Sequence, residues 1–246
     1  MYSPKKSYRL TELLKRSDAG DPDAMSALVS LLAAEGYLSD PADLDILERY
    51  IACLETLAEN GDSEACIMLG DAFKDGTGVR QDPQEAIQWY EKAVERGEPF
   101  GNECIGMMYY AGDGIPKDYK KAFSYFTGNE GRKSFCTLYA LGEMYRCGLY
   151  VGQDERKACA CYLKIVNSDE PYTALDDYYW RACYRLGRAF RDGRGTEKNL
   201  DSAAQLLSTA KELFDGREND ADCTDITKEA LYREWVQVNR ETGTFQ

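Results

Sequence analysis

The side chains best suited to recognition chemistry are Arg181, Arg185 and Arg188, whose spacings of four and three lay them along one stripe of a helix. A guanidinium holds a carboxylate in a planar fork, and Tyr184 offers an aromatic cover for the apolar part of a ligand. The stripe predicts a grip on an acidic stretch or free C-terminus of a peptide. The competing assignment is internal pairing with Asp176, Asp177 or Asp192. Signals for a reaction are thin. The chain has no histidine, which excludes Ser-His-Asp and Cys-His machinery and histidine metal ligands. A P-loop is absent, and Gly76-Gly78, Gly112-Gly114 and Gly193-Gly195 follow no strand, as a dinucleotide fingerprint requires. No two carboxylates stand out as acid and base. The expectation is a protein that is not an enzyme, with no catalytic residue, cofactor or metal.

Cysteine and charge narrow the setting. The nine cysteines, Cys53, Cys66, Cys104, Cys136, Cys147, Cys159, Cys161, Cys183 and Cys223, form no C-x2-C pair. Their odd count, and an N-terminal stretch without a signal-peptide apolar run, predict reduced thiols and a cytoplasmic protein. No later stretch approaches the ~20 apolar residues of a membrane span. Net charge is −13, from 30 basic and 43 acidic residues, which argues against nucleic acid and anionic membranes as partners.

These residues must be positioned by something, and the chain repeats itself. Gly70, Gly106, Gly142 and Gly187 each follow Leu or Ile, at steps of 36, 36 and 45 residues. Three residues on lies an aromatic: Phe73, Tyr109, Tyr145 and Phe190. Six on lies a second glycine: Gly76, Gly112, Gly148 and Gly193. Asp82, Asp118, Asp154 or Asn199 comes next, then Ala86, Ala122, Ala158 or Ala203. Apolar pairs close each repeat, Trp89-Tyr90 in the first. The physical reading is a pair of short helices joined by a glycine turn. The first glycine admits a neighbouring helix, at a propensity cost of roughly 1 kcal/mol against alanine. The later glycines end the helix and turn the chain. Asp82, with Pro83 and Glu85 after it, caps the second helix.

Ala65 to Ala93 resemble the Sel1-like repeat, a relative of the tetratricopeptide repeat, whose pattern runs A-x3-L-G-x2-Y-x2-G-x-G-V-x2-D-x3-A-x2-W-Y-x-K-A. The second and fourth repeats match well, and the third departs by carrying Tyr150 at the second turn glycine. The resemblance implies an all-α fold, an α-α superhelix or right-handed solenoid of helical hairpins. It also implies a protein-binding adaptor without a reaction.

The chain is read as one continuous domain in four stretches. Residues 1–18 form an N-terminal extension, with a short helix through Leu10, Leu13 and Leu14 covering an open end. Residues 19–61 form a divergent first hairpin, in which Val29 replaces the packing glycine and predicts a looser contact. Asp40-Pro41 starts its second helix, longer by up to six residues than its counterpart after Asp82. Residues 62–216 hold the four repeats, with an insertion around 167–175 broken by Pro171. Residues 217–246 are a linker and a last helix capped by Thr224 or Asp225. Its stripe of Ile226, Ala230, Leu231, Trp235 and Val238 reads as a lid, or else as a docking surface.

In the tetratricopeptide relatives the first helix of each pair lines the concave face. Carried over by position, the partner-binding groove comprises Glu64, Ile67, Asp71 and Lys74, then Glu103, Met107 and Tyr110, then Tyr139, Glu143 and Arg146. The fourth repeat adds Arg181, Tyr184, Arg188 and Arg191. The leading expectation is a scaffold or adaptor binding a peptide or protein there, as a monomer or weak homo-oligomer. Two alternatives remain open: an acidic inhibitor or immunity-type protein capping a basic partner, and an oligomeric scaffold joined through the last helix.

Overall fold

In the computed structural model, residues 8–34, 44–128, 133–169, 177–215 and 226–243 are described. They hold helices and no strand. The expected Asp40-Pro41 start, most of the 167–175 insertion, and the Thr224 and Asp225 caps lie outside the described residues. The chain divides into two compact units, residues 1–131 and 132–246.

The first unit contains α1 (Tyr8–Asp18), α2 (Pro22–Ala34), α3 (Leu44–Glu59), α4 (Ser63–Asp75), α5 (Pro83–Glu95), α6 (Phe100–Ala111) and α7 (Tyr119–Gly128). Each helix packs on the next. Their inward residues form one core running from Leu10 and Leu28 through Leu54 and Leu69 to Tyr90 and Ile105. Helix α1 buries Leu10 and Leu13 against this core, as its leucine spacing predicts. Asp21 caps α2 by accepting from the Asp23 and Ala24 N–H groups, and Asp62 caps α4 through Glu64 and Ala65. The divergent hairpin thus starts its first helix as the regular one does. Helix α3 spans 16 residues against 13 for α5, in the direction expected.

The second unit contains α8 (Phe135–Cys147), α9 (Glu155–Val166), α10 (Asp177–Asp192), α11 (Leu200–Asp215) and α12 (Lys228–Glu241), again packed in sequence. Helix α12 is capped by Thr227, further along than Thr224 or Asp225, and Ile226 is buried just before it. Leu231 and Val238 are buried in a cluster with Trp180, Cys183 and Leu207. The apolar stripe of α12 is therefore spent on the last hairpin, and Arg233, Gln237 and Arg240 face solvent. The helix is a lid.

Every regular hairpin closes in the same way. The N–H of Asp82, Asp118, Asp154 or Asn199 donates to the carbonyl of Phe73, Tyr109, Tyr145 or Phe190, at 2.8 to 3.0 Å. The side chain of the same residue then accepts from the first turn of the second helix. A Cβ added at Gly70, Gly106, Gly142 or Gly187 would stand 2.3 to 2.9 Å from Tyr90, Phe126, Tyr162 or Leu207. The four glycines are where a second helix presses closest, and alanine does not fit unless that side chain moves.

Candidate interaction site

The arginines of α10 already hold carboxylates of their own chain. Arg185 is buried and forks onto Glu143 of α8, at 2.9 and 3.0 Å. Arg146 forks onto the same carboxylate at 2.9 and 2.6 Å, and the Tyr162 hydroxyl donates to it at 2.5 Å. Burial opposes ionisation of Glu143, yet these donors outweigh it and hold its carboxyl below the usual range. Arg188 and Arg191 both meet Glu234 of α12, and Arg191 also binds Asp192 at 2.7 Å. Arg181 stands 4.0 Å from Asp177. Tyr184 is buried in the core beneath. The anticipated carboxylate grip is therefore corrected to an ion-pair network that ties α8, α10 and α12 together. What opens between α8, α9 and α10 is a polar cleft of about 80 Å³, lined by Arg146, Arg185 and Arg188 among others. Glu143 and Glu234 are the partners that the stripe's own neighbourhood did not announce.

A second rule runs through the hairpins. In two of them the residue just after the packing glycine accepts a hydrogen bond from the residue twenty after that glycine. In the first regular hairpin these are Asp71 and Tyr90, whose hydroxyl donates at 2.7 Å. In the third they are Glu143 and Tyr162. The second carries Met107 with Phe126, and the fourth Arg188 with Leu207. A carboxylate stands at this position only where the facing ring bears a hydroxyl. Tyr90 and Tyr162 are buried, so their hydroxyls require an acceptor. Burial first, and then the bond to the carboxylate, raises both phenols well above their ordinary value.

The remaining groove residues divide by exposure. Ile67 is 8% exposed, Glu103 3%, Tyr139 8%, Glu143 6% and Tyr184 2%, so the expectation that these lie open is corrected. They face neighbouring helices; Tyr139, for example, leans on Tyr162 and Tyr178. Lys74 reaches Asp71 and Asp75, and Tyr110 packs edge-on against Tyr119. Met107 is half-buried, and Glu64 is the one residue of the fourteen that is exposed as a whole.

Glu64 lies on the rim of an open groove in the first unit, about 260 Å³ in volume, between α2, α3 and α4. Val29, Leu54, Leu57, Ala65 and Met68 form its floor, and Ser26, Ser30, Asp62 and Glu64 its rim. Most of these escaped the sequence reading. The available signal was Val29, which stands where the regular hairpins carry the packing glycine and lines the groove.

The described residues offer no group of three or more Cys, Asp or Glu able to hold a metal ion. Eight cysteines are free thiols. Burial pushes Cys159 up to about 11 and Cys183 up to about 12. No helix among the described residues is long and apolar enough to cross a membrane.

Known proteins share this architecture. A protective antigen of uropathogenic Escherichia coli with an SLR fold superposes with a TM-score of 0.65 at 21% identity, covering 95% of this chain and 49% of that one. A Sel1 repeat protein from Oxalobacter formigenes gives 0.57 at 24% identity, over 85% and 57%. In sequence, the Arabidopsis thaliana ERAD-associated E3 ubiquitin-protein ligase component HRD3B is 34% identical over 107 residues, 43% of this chain and 17% of that protein. Protein sel-1 homolog 2 of Rattus norvegicus is 33% identical over 110 residues, 45% of this chain and 16% of that one. The chain therefore spans about a sixth of the length of these curated relatives. The Sel1 repeat model matches residues 63–98, 105–127, 137–168 and 180–213, just over half of the sequence. Glycine contacts, capped turns and matched repeats agree, and the chain belongs to the Sel1 repeat family.

Proposed function

We propose that the protein is a non-catalytic interaction scaffold that holds a protein or peptide in the groove between α2, α3 and α4. The observation that carries this reading is the apolar floor of that groove, about 260 Å³ of space left open by the described residues. Family membership supports it, since Sel1 repeats commonly serve as protein-protein interaction scaffolds. The Arabidopsis relative is named as a component of a ligase, that is, a part of an assembly. The eight free thiols suit a reducing compartment, and the cytoplasm is the proposed setting.

A photo-crosslinking amino acid placed at Ser30, on the rim, tests the reading against the same group at Gln88, exposed on α5. The expected result is a partner captured at Ser30, not at Gln88, and lost when Met68→Lys charges the floor. Identical captures from both positions would reject the groove.

A further inference from the structure

The groove of the first unit has a chemical sign as well as a shape. Its charged lining residues, Asp62 and Glu64, are both carboxylates. Asp62 Oδ1 accepts from the first N–H groups of α4, at 2.9 and 3.1 Å. Glu64 makes no ion pair or side-chain hydrogen bond among the described residues, and its side chain lies in solvent. Ser26 and Ser30 complete a rim that offers oxygen and no cation.

The floor is aliphatic and thioether, with no ring, and its volume suits one or two side chains of leucine size rather than a folded segment. Its origin is visible in the repeat. At Gly70 the approaching Tyr90 ring takes the place a side chain would occupy. At the matching position of the first hairpin Val29 carries its own side chain.

From this we infer that the groove recognises an aliphatic side chain flanked by lysine or arginine in an extended segment of a protein partner. The aliphatic group enters the floor, and the flanking cations meet Asp62 and Glu64. An acidic segment would set like charges against that rim, at a cost in affinity. The charge of the chain acts the same way, because −13 overall draws a basic segment in and repels an acidic one. The inference rests on the scaffold reading and adds to it the class of the partner.

The test uses the full chain with ¹³C-labelled methyl groups. Three blocked peptides serve as probes: Lys-Lys-Leu-Lys-Lys, Glu-Glu-Leu-Glu-Glu and Lys-Lys-Ser-Lys-Lys. The first is expected to shift the methyl signals of Val29, Leu54, Leu57 and Met68, and the other two to leave them in place. Glu64→Lys, at an exposed and unpaired position, should preserve the fold and weaken the first peptide by about tenfold. Equal shifts from the acidic peptide, no shift from the basic one, or indifference to Glu64→Lys would overturn the inference. Groove signals that move when residues 1–7, which include Lys5 and Lys6, are deleted would assign the groove to the chain itself and also overturn it. A partner still crosslinked at Ser30 while the peptides fail would leave the scaffold reading standing and remove only the charge class.

Discussion

A single hydroxyl decides what stands opposite it in these hairpins. Tyr90 is fully buried, and Asp71 accepts its proton donor at 2.7 Å. Phe126 stands at the same repeat position with no hydroxyl, and Met107 stands at the repeat position of Asp71. A buried hydroxyl without an acceptor costs roughly 1–3 kcal/mol. Phe126→Tyr is therefore expected to lower stability by about that amount, and Met107→Glu in the same chain to recover most of it. Urea midpoints of the two single variants and the double variant check this; additive losses would refute the pairing. The rule can be read from the four repeats once the facing positions are known. That they face each other is a matter of how two helices cross, which residue types alone do not state. Glu143 shows the same limit, because its partner Arg185 comes from the next hairpin, 42 residues on.

At the scale of the element, the turn between helices shows which glycines answer to backbone conformation and which to contact. Gly148 and Gly195 both have positive φ, 68° and 72°. Tyr150 adopts 65° at the position where the other hairpins carry their second glycine, so the left-handed conformation by itself is tolerated there. The turn therefore keeps its geometry without the glycine. A Cβ at Gly148 would meet nothing closer than 3.5 Å, whereas one at Gly195 would stand 2.3 Å from the Glu155 carbonyl oxygen. Gly148→Ala should cost about 1 kcal/mol, the penalty of the conformation alone. Gly195→Ala should cost about 2–4 kcal/mol, because the backbone of α9 has to shift as well. Thermal melts of the two variants compare them directly, and equal losses would show that the close approach carries no weight. Both glycines stood out in the sequence; only the neighbouring backbone separates their reasons.

At the scale of the whole molecule, the second unit depends on α12 to finish its core. Leu231 and Val238 are fully buried, while the outward face of α12 carries Arg233 and Arg240. Truncation at residue 223 should expose the pocket around Trp180 and Leu207, lowering the melting temperature and producing aggregates in light scattering. Leu231→Ala in the full chain should cost about 2–5 kcal/mol. A truncated chain that stays stable and simply halves its assembly mass would instead make α12 an oligomer contact. The charge balance also shows at this scale. Arg146, Arg185, Arg188 and Arg191 are engaged with internal carboxylates, so the basic end anticipated from the stripe is not a free positive surface.

Repetition alone determined the helical hairpins, their caps, their turns and the close-packing role of Gly70, Gly106, Gly142 and Gly187. Each of those features is set within one hairpin, where helix period, capping geometry and backbone sterics act over a few residues. Exposure was decided only by the tertiary structure. Ile67, Glu103, Tyr139 and Tyr184 sit on first helices like Glu64, yet neighbouring helices cover them and leave Glu64 in solvent. The arginine partners were settled there too, since Glu143 and Glu234 arrive from other hairpins. Local pattern states what a residue can do, and the stacking of elements states whether a partner can reach it.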